Sequence, residues 1–261
     1  MRRSLVLAAV AGLVLVTPAA AQVQPLTLPP PVQTLPGGPD YAAVLASPVR
    51  TDEDRARDEA RMALQTLRFI GVQPGWKVGD MIMGGGYFTR IFSAAVGPEG
   101  HVTAWQPAEF IGFQASYAEA ADAADRLANV DAIRSPIGAP EFPSGLDLVF
   151  TAQNYHDLHL KPFPTDTAAK VNAAVFAALK PGGRYVIIDH HAVDGSDLSV
   201  ADALHRIDHD TVVAEVEAAG FEYAGEAAAL WNDDDPRTAS VFDESIRGRT
   251  SQFMLAFRKP E

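Results

Sequence analysis

From Lys77 onward the chain alternates short β-like apolar runs with stretches of helical periodicity, and no other feature narrows its fold as much. The β-like runs are Lys77–Ile82, His101–Trp105, Val130–Ile133, Leu146–Thr151 and Arg184–Ile188. Helical spacing marks Tyr87–Ala95, Pro107–Ala128, Asp166–Leu179 and Ala201–Ala219. Parallel strands need crossover connections, so this alternation predicts a mostly parallel sheet with helices on both faces. The ending is different: Phe221–Ala228 and Gln252–Arg258 follow one another with only a polar loop between them. They predict an antiparallel hairpin at one edge. The expectation is a doubly wound α/β fold with a seven-stranded sheet. Ahead of it, a helix capped by Thr51 or Asp52 is predicted to run through Ala60, Ala63, Leu64, Leu67 and Ile70 and to stop at Gly71 and Pro74.

The N-terminus reads as an address rather than as part of the fold. Arg2 and Arg3 precede an apolar run from Leu5 to Val16, then Pro18 and Ala19-Ala20-Ala21. That order predicts a secretory signal over residues 1–21, cut after Ala21, and a periplasmic or secreted location. The run is too short to span a bilayer, so no stable membrane anchor is expected after cleavage. Residues 22–40 hold six prolines and Gly37-Gly38, which predicts an extended linker. No repeat follows, and residues 41–261 are expected to form one domain. The net charge of −12 argues against nucleic acid as a partner, because phosphate neutralisation needs surplus Lys and Arg. The chain has no cysteine, which excludes disulfides, thiolate metal ligands and a cysteine nucleophile.

In open α/β sheets, ligands sit beyond the carboxyl ends of the strands where strand order reverses. The first predicted strand ends in Asp80-Met81-Ile82-Met83-Gly84-Gly85-Gly86-Tyr87-Phe88-Thr89. Three glycines let the backbone turn sharply and approach a ligand, and the next helix points its N-terminal amides there. A dinucleotide fingerprint fits less well: Thr89 stands where the third glycine belongs, and no acid ends the second strand. Neither a phosphate-binding P-loop nor a nucleophile elbow occurs.

These residues carry a resemblance. The run WKVGDMIMGGGYFTRIFSAAVGPEGHVTAWQPAEF resembles the first two strands of class I S-adenosylmethionine-dependent methyltransferases. LDLVFTAQNYHDLH resembles their fourth strand and its loop, FAALKPGGRYVIIDH the turn and fifth strand, and VAEVEAAGFEYAGE the helix and sixth strand. The likeness covers most of the domain and is nearest to exported bacterial members. It implies S-adenosylmethionine as cofactor, with Asp80 near its amino group and Gly84, Gly85, Gly86 and Tyr87 around it. Thr89 would cap the loop, and Gln153 and Asn154 would face cofactor and acceptor. The family pattern is D-x-G-x-G-x-G, but Ile82 takes the first glycine position here. Where an acid usually holds the ribose hydroxyls, this chain has Gln106, which accepts without charge assistance.

Histidines form a second group. His156 and His159 follow the fourth strand, and Asp189-His190-His191 the fifth. His205 and His209 stand at i, i+4 on a predicted helix. His156 is the candidate general base, with Asp157 and Tyr155 beside it as alternatives. No short zinc signature such as H-E-x-x-H occurs, so no residue is assigned to a metal. The acids of Trp231–Pro236 lack the EF-hand spacing and read as a solvated turn. Three readings stay open. One is methyl transfer to a small-molecule or cell-envelope acceptor. Another is a non-catalytic binding protein that keeps the fold with a degraded cofactor site. The third is a metal-dependent enzyme built on His156, His159, Asp189, His190 and His191.

Overall fold

The computed structural model describes residues 38–261, so the signal and most of the linker expected before them lie outside the described residues. Seven strands form one sheet: β1 (Lys77–Met81), β2 (His101–Trp105), β3 (Val130–Ile133), β4 (Leu146–Ala152), β5 (Leu179–His190), β6 (Glu222–Ala227) and β7 (Gln252–Arg258). Their order is β3-β2-β1-β4-β5-β7-β6. Only β7 runs antiparallel to its neighbours β5 and β6. Both the doubly wound reading and the edge hairpin therefore hold.

Strand residues are apolar on both faces because helices cover both. Leu148 and Phe150 of β4 join one core with Phe88, Ile91 and Phe92, while Val149 between them joins the other with Val171, Val175 and Tyr185. That division is the two-residue period of a strand buried on both sides. Helices α1 (Tyr41–Leu45), α2 (Asp52–Arg55) and α3 (Ala63–Ile70) precede the sheet. Helix α4 (Tyr87–Val96) crosses from β1 to β2, and α5 (Ala108–Phe113) and α6 (Ser116–Ala124) follow β2. A short 3-10 helix, His156–His159, leads from β4 towards α7 (Thr167–Ala178), and α8 (Ser199–Leu204) and α9 (His209–Ala218) follow β5.

Three helices predicted as continuous are broken, twice at a non-glycine residue in the left-handed region. The predicted helix to Ile70 begins well, with a reciprocal capping box between Thr51 and Asp54. It ends after Arg55, and Met62 (φ 44°) starts α3 anew. His205 (φ 53°) ends α8, and Asp208 caps α9 separately. His205 and His209 are therefore not one turn apart on one helix. The helix expected over Pro107–Ala128 breaks at Gln114, whose backbone is extended. Strand β5 begins at Leu179 rather than Arg184, and Asp189 and His190 are its last residues rather than its loop.

Strand order reverses between β1 and β4, so the crevice beyond their carboxyl ends is the place for a ligand.

Candidate active site

A cavity of about 260 Å³ opens at that switch point, lined by Asp80, Gly84, Gly85, Tyr87, Gln153 and Asn154 among the expected residues. Asp80, near the end of β1, is buried, and its Oδ2 accepts a 2.5 Å hydrogen bond from Thr89 Oγ1. Thr89 thus sits beneath the carboxylate as its support rather than on the cavity wall. Burial pushes the Asp80 carboxyl up to about 6, opposed by the Thr89 bond and the Arg90 and Arg61 charges.

The glycine loop approaches the cavity with bare backbone. Gly84 and Gly86 have φ of 54° and 77°, and a Cβ placed on Gly84 or Gly85 would meet nothing within 4 Å. Gly86 turns away, since its Cβ position falls 2.7 Å from the Arg90 guanidinium. Ile82, at the family's first glycine position, takes the left-handed conformation that glycine would supply, at φ 59°. For a β-branched residue this is strained by about 1–2 kcal/mol. Asn154 holds it there: its Nδ2 donates to the carbonyl oxygens of Ile82 (3.0 Å) and Ala152 (2.7 Å), tying the ends of β1 and β4 together. Gln153, across the cavity, is also left-handed, at φ 65°. Two strained residues facing one cavity mark a place where backbone geometry is held against local preference.

Arg57, Arg61 and Tyr117, none of them singled out from the sequence, also line it. Arg61 lies 4.7 Å over the Tyr87 ring and donates to Gln153 Oε1 at 3.1 Å; Gln153 in turn donates to Gln252. Arg57 stands 5.6 Å over the same ring. Among the described residues neither arginine has a carboxylate partner within salt-bridge distance. Their segment is pinned to α4 by Arg90, which grips Asp54 at 2.5 and 2.6 Å, and by Tyr87, whose hydroxyl donates to Asp58 at 2.7 Å. Arg57 and Arg61 stand in the turns of residues 56–62, where a continuous helix was expected. The result is a small cavity whose lining holds one carboxylate and two arginines.

Gln106 does not join this site. It follows β2, is fully buried, is absent from the cavity wall, and both its side-chain polar atoms lack a partner among the described residues.

The histidine group divides. His156 is buried; its Nδ1 lies 2.8 Å from Asp189 Oδ1, and its backbone N–H donates to Asp189 Oδ2 at 2.7 Å. Burial pulls its pKa down, but the Asp189 and Asp157 carboxylates outweigh that and hold it up at about 9. His156 therefore keeps its proton at neutral pH, and the proton-accepting group of this cluster is Asp157, raised by burial to about 6. Of the candidates named from the sequence, this favours Asp157 over His156 as proton acceptor. Tyr155 is removed from the site: its hydroxyl is buried, bonded to Glu215 at 2.9 Å and accepting from Asn172 at 2.7 Å. His159 also turns to Glu215, at 3.1 Å. His190 pairs with Thr250 and is held neutral by burial, its pKa near 3. His191 lies elsewhere, among the rings of His209, Trp231 and Phe253. The five-residue metal cluster read from the sequence is therefore not assembled. The acidic loop is not a solvated turn throughout, because Asp235 makes a fully buried two-point ion pair with Arg206 at 2.8 and 2.9 Å.

No family model and no curated protein matches the sequence. Solved structures do. A SAM-dependent methyltransferase from Aquifex aeolicus superposes with a TM-score of 0.53 at 18% identity, over 84% of this chain and 98% of that one. The N-methyltransferase NodS from Bradyrhizobium japonicum gives 0.54 at 14%, over 80% and 99%. The fold is the Rossmann-like methyltransferase fold. The [4+2]-cyclase SpnF gives 0.56 at 16%, over 77% and 80%. Identities this low speak for the fold alone.

Proposed function

We propose that the protein binds S-adenosylmethionine through its amino-acid end and transfers the methyl group to an acceptor. The observation that carries this is that Asp80, Arg57 and Arg61 line one cavity together with the bare Gly84–Gly85 backbone. A carboxylate and two guanidinium groups in one lining match a zwitterion: the ammonium of an amino acid on Asp80, its carboxylate on the arginines. The Gly84–Gly85 stretch leaves room for close approach, as a cofactor on a β1–α4 turn requires. The bound cofactor would supply an activated methyl on sulfur, and the chain's contribution is placement. Asn154 and Gln153 fix the β4 end of the cavity, and Tyr117, on its wall, feels the charge of Asp157. This supports a role for the Asp157–His156 cluster in taking the proton of an acceptor hydroxyl.

Calorimetric titration with S-adenosylmethionine and S-adenosylhomocysteine tests this reading. One site per chain at micromolar affinity is expected, lost in Asp80→Ala; absence of heat with both ligands at micromolar protein would refute it.

A second reading, a non-catalytic binding protein, is favoured by the sealed, unpartnered Gln106. A cyclase on the same fold is a reminder that the architecture hosts other chemistry. Ligand binding with no turnover of the cofactor against envelope extracts would decide for it.

The acceptor proposed is a small molecule or envelope component, since Arg2-Arg3, the apolar run and Ala19–Ala21 support export. The acidic charge supports a partner other than nucleic acid. No helix among the described residues is long and apolar enough to cross a membrane. Cell fractionation with detection of cleavage after Ala21 checks the location.

A further inference from the structure

We propose that His156, Asp157 and His205 form a binding site for a divalent transition-metal ion of the zinc type, just past the carboxyl end of β4. His156 Nε2 lies 3.3 Å from His205 Nδ1 and 3.3 Å from Asp157 Oδ1, and the latter two are 3.9 Å apart. Ligand atoms about 2.0–2.1 Å from a tetrahedral zinc ion are roughly 3.3–3.4 Å from one another, so the three atoms already stand at the edges of such a coordination shell. The donor set, two imidazoles and a carboxylate, suits zinc and its first-row neighbours.

Three further observations point the same way. His156 turns its other ring nitrogen to Asp189, 2.8 Å away, and Asp189 is itself fixed by the backbone N–H groups of His156 and His190 at 2.7 Å each. A carboxylate behind a histidine is the usual support of a metal-bound imidazole, fixing its tautomer and orientation. The Asp157 carboxylate, largely buried, accepts no hydrogen bond from a backbone amide, arginine or lysine among the described residues; the groups that face it are the two histidine rings. Finally, His205 is held at φ 53°, a strained conformation that ends α8 and brings its ring against His156, with Phe242 packed 4.8 Å from its outer face.

The set differs from the cluster the sequence suggested. Asp189 serves as support instead of ligand, and His205 enters only because the predicted helix breaks there. Three protein ligands leave one position for water or an acceptor oxygen, the arrangement of a reactive rather than a purely structural site. Metal and proton compete for His156 Nε2, so the metal-bound state replaces the protonated one.

The test uses the whole purified chain, stripped with chelator and titrated with Co²⁺ in the absence of any cofactor, so that its outcome is separate from that of S-adenosylmethionine binding. One equivalent of Co²⁺ with the intense visible absorption of four-coordinate cobalt is expected, displaced by Zn²⁺. His205→Ala, at a half-buried position outside both cores, should keep the circular dichroism of the wild type and weaken Co²⁺ binding at least about 100-fold. Asp189→Asn should weaken it about 10–100-fold. No visible band up to millimolar Co²⁺, or a folded His205→Ala variant that binds like the wild type, would overturn the proposal.

Discussion

The ends of β1 and β2 lie side by side, with Met81 paired to Trp105, yet they are finished in opposite ways. At the first, Asp80 has a supporting hydroxyl beneath it, open backbone beside it and two arginines in the same cavity lining. At the second, Gln106 is shut into the protein with neither amide atom paired among the described residues. On the proposed reading the first end would take the amino-acid half of the cofactor and the second the ribose. One half of the site is built before any ligand arrives, and the other is closed. The difference teaches where affinity should come from: charge pairing at Asp80 and Arg61, with little from β2.

The largest break in this comparison should come from Asp80→Ala, which is expected to weaken S-adenosylhomocysteine binding at least about 100-fold, read by calorimetry. Asp80→Asn should lose affinity similarly while raising stability. The folded pKa of about 6 exceeds the ordinary 3.8, so the ionised carboxylate is penalised in the fold, with a penalty that grows from about pH 4 and is complete above about 6. Relieving it at pH 8 should add about 1–3 kcal/mol in urea unfolding. Arg61→Ala comes next, with a roughly tenfold to hundredfold loss for ligands that carry a carboxylate. The pH dependence is milder: affinity should hold above about 6 and fall up to about tenfold per unit below it, as Asp80 protonates and no longer pairs with the ammonium. The smallest effect on binding belongs to Gln106→Leu, which should change affinity by less than about threefold. The same variant should gain about 1–3 kcal/mol of stability by removing unpaired buried polar atoms. A large loss of affinity instead would mean that Gln106 opens onto the ribose and that the two strand ends are not different in kind.

Strand positions, the glycine turn and the switch-point site were legible because two-residue and 3.6-residue apolar periods and a glycine triplet act locally. Gly84 was legible on that basis, whereas Asp80 and Asn154 were named from the family resemblance. What the sequence concealed depends on residues that adopt left-handed backbone without being glycine. Met62, His205 and Ile82 carry no local signal for it, so two helices were joined across their breaks and the turns of residues 56–62 that hold Arg57 and Arg61 went unseen. Side-chain direction on a short 3-10 helix was equally hidden. Neighbours in sequence there diverge, His156 to Asp189 and Tyr155 and His159 to Glu215, and only packing decides which way each turns.

The central claim is that this site recognises the amino-acid zwitterion of its cofactor through Asp80 and the paired arginines. Comparing S-adenosylhomocysteine with 5′-methylthioadenosine, which keeps the nucleoside and lacks the amino acid, tests it most directly. The account predicts that S-adenosylhomocysteine binds at least about 100-fold more tightly, a preference that vanishes in Asp80→Ala. Equal affinity for the two ligands would contradict it.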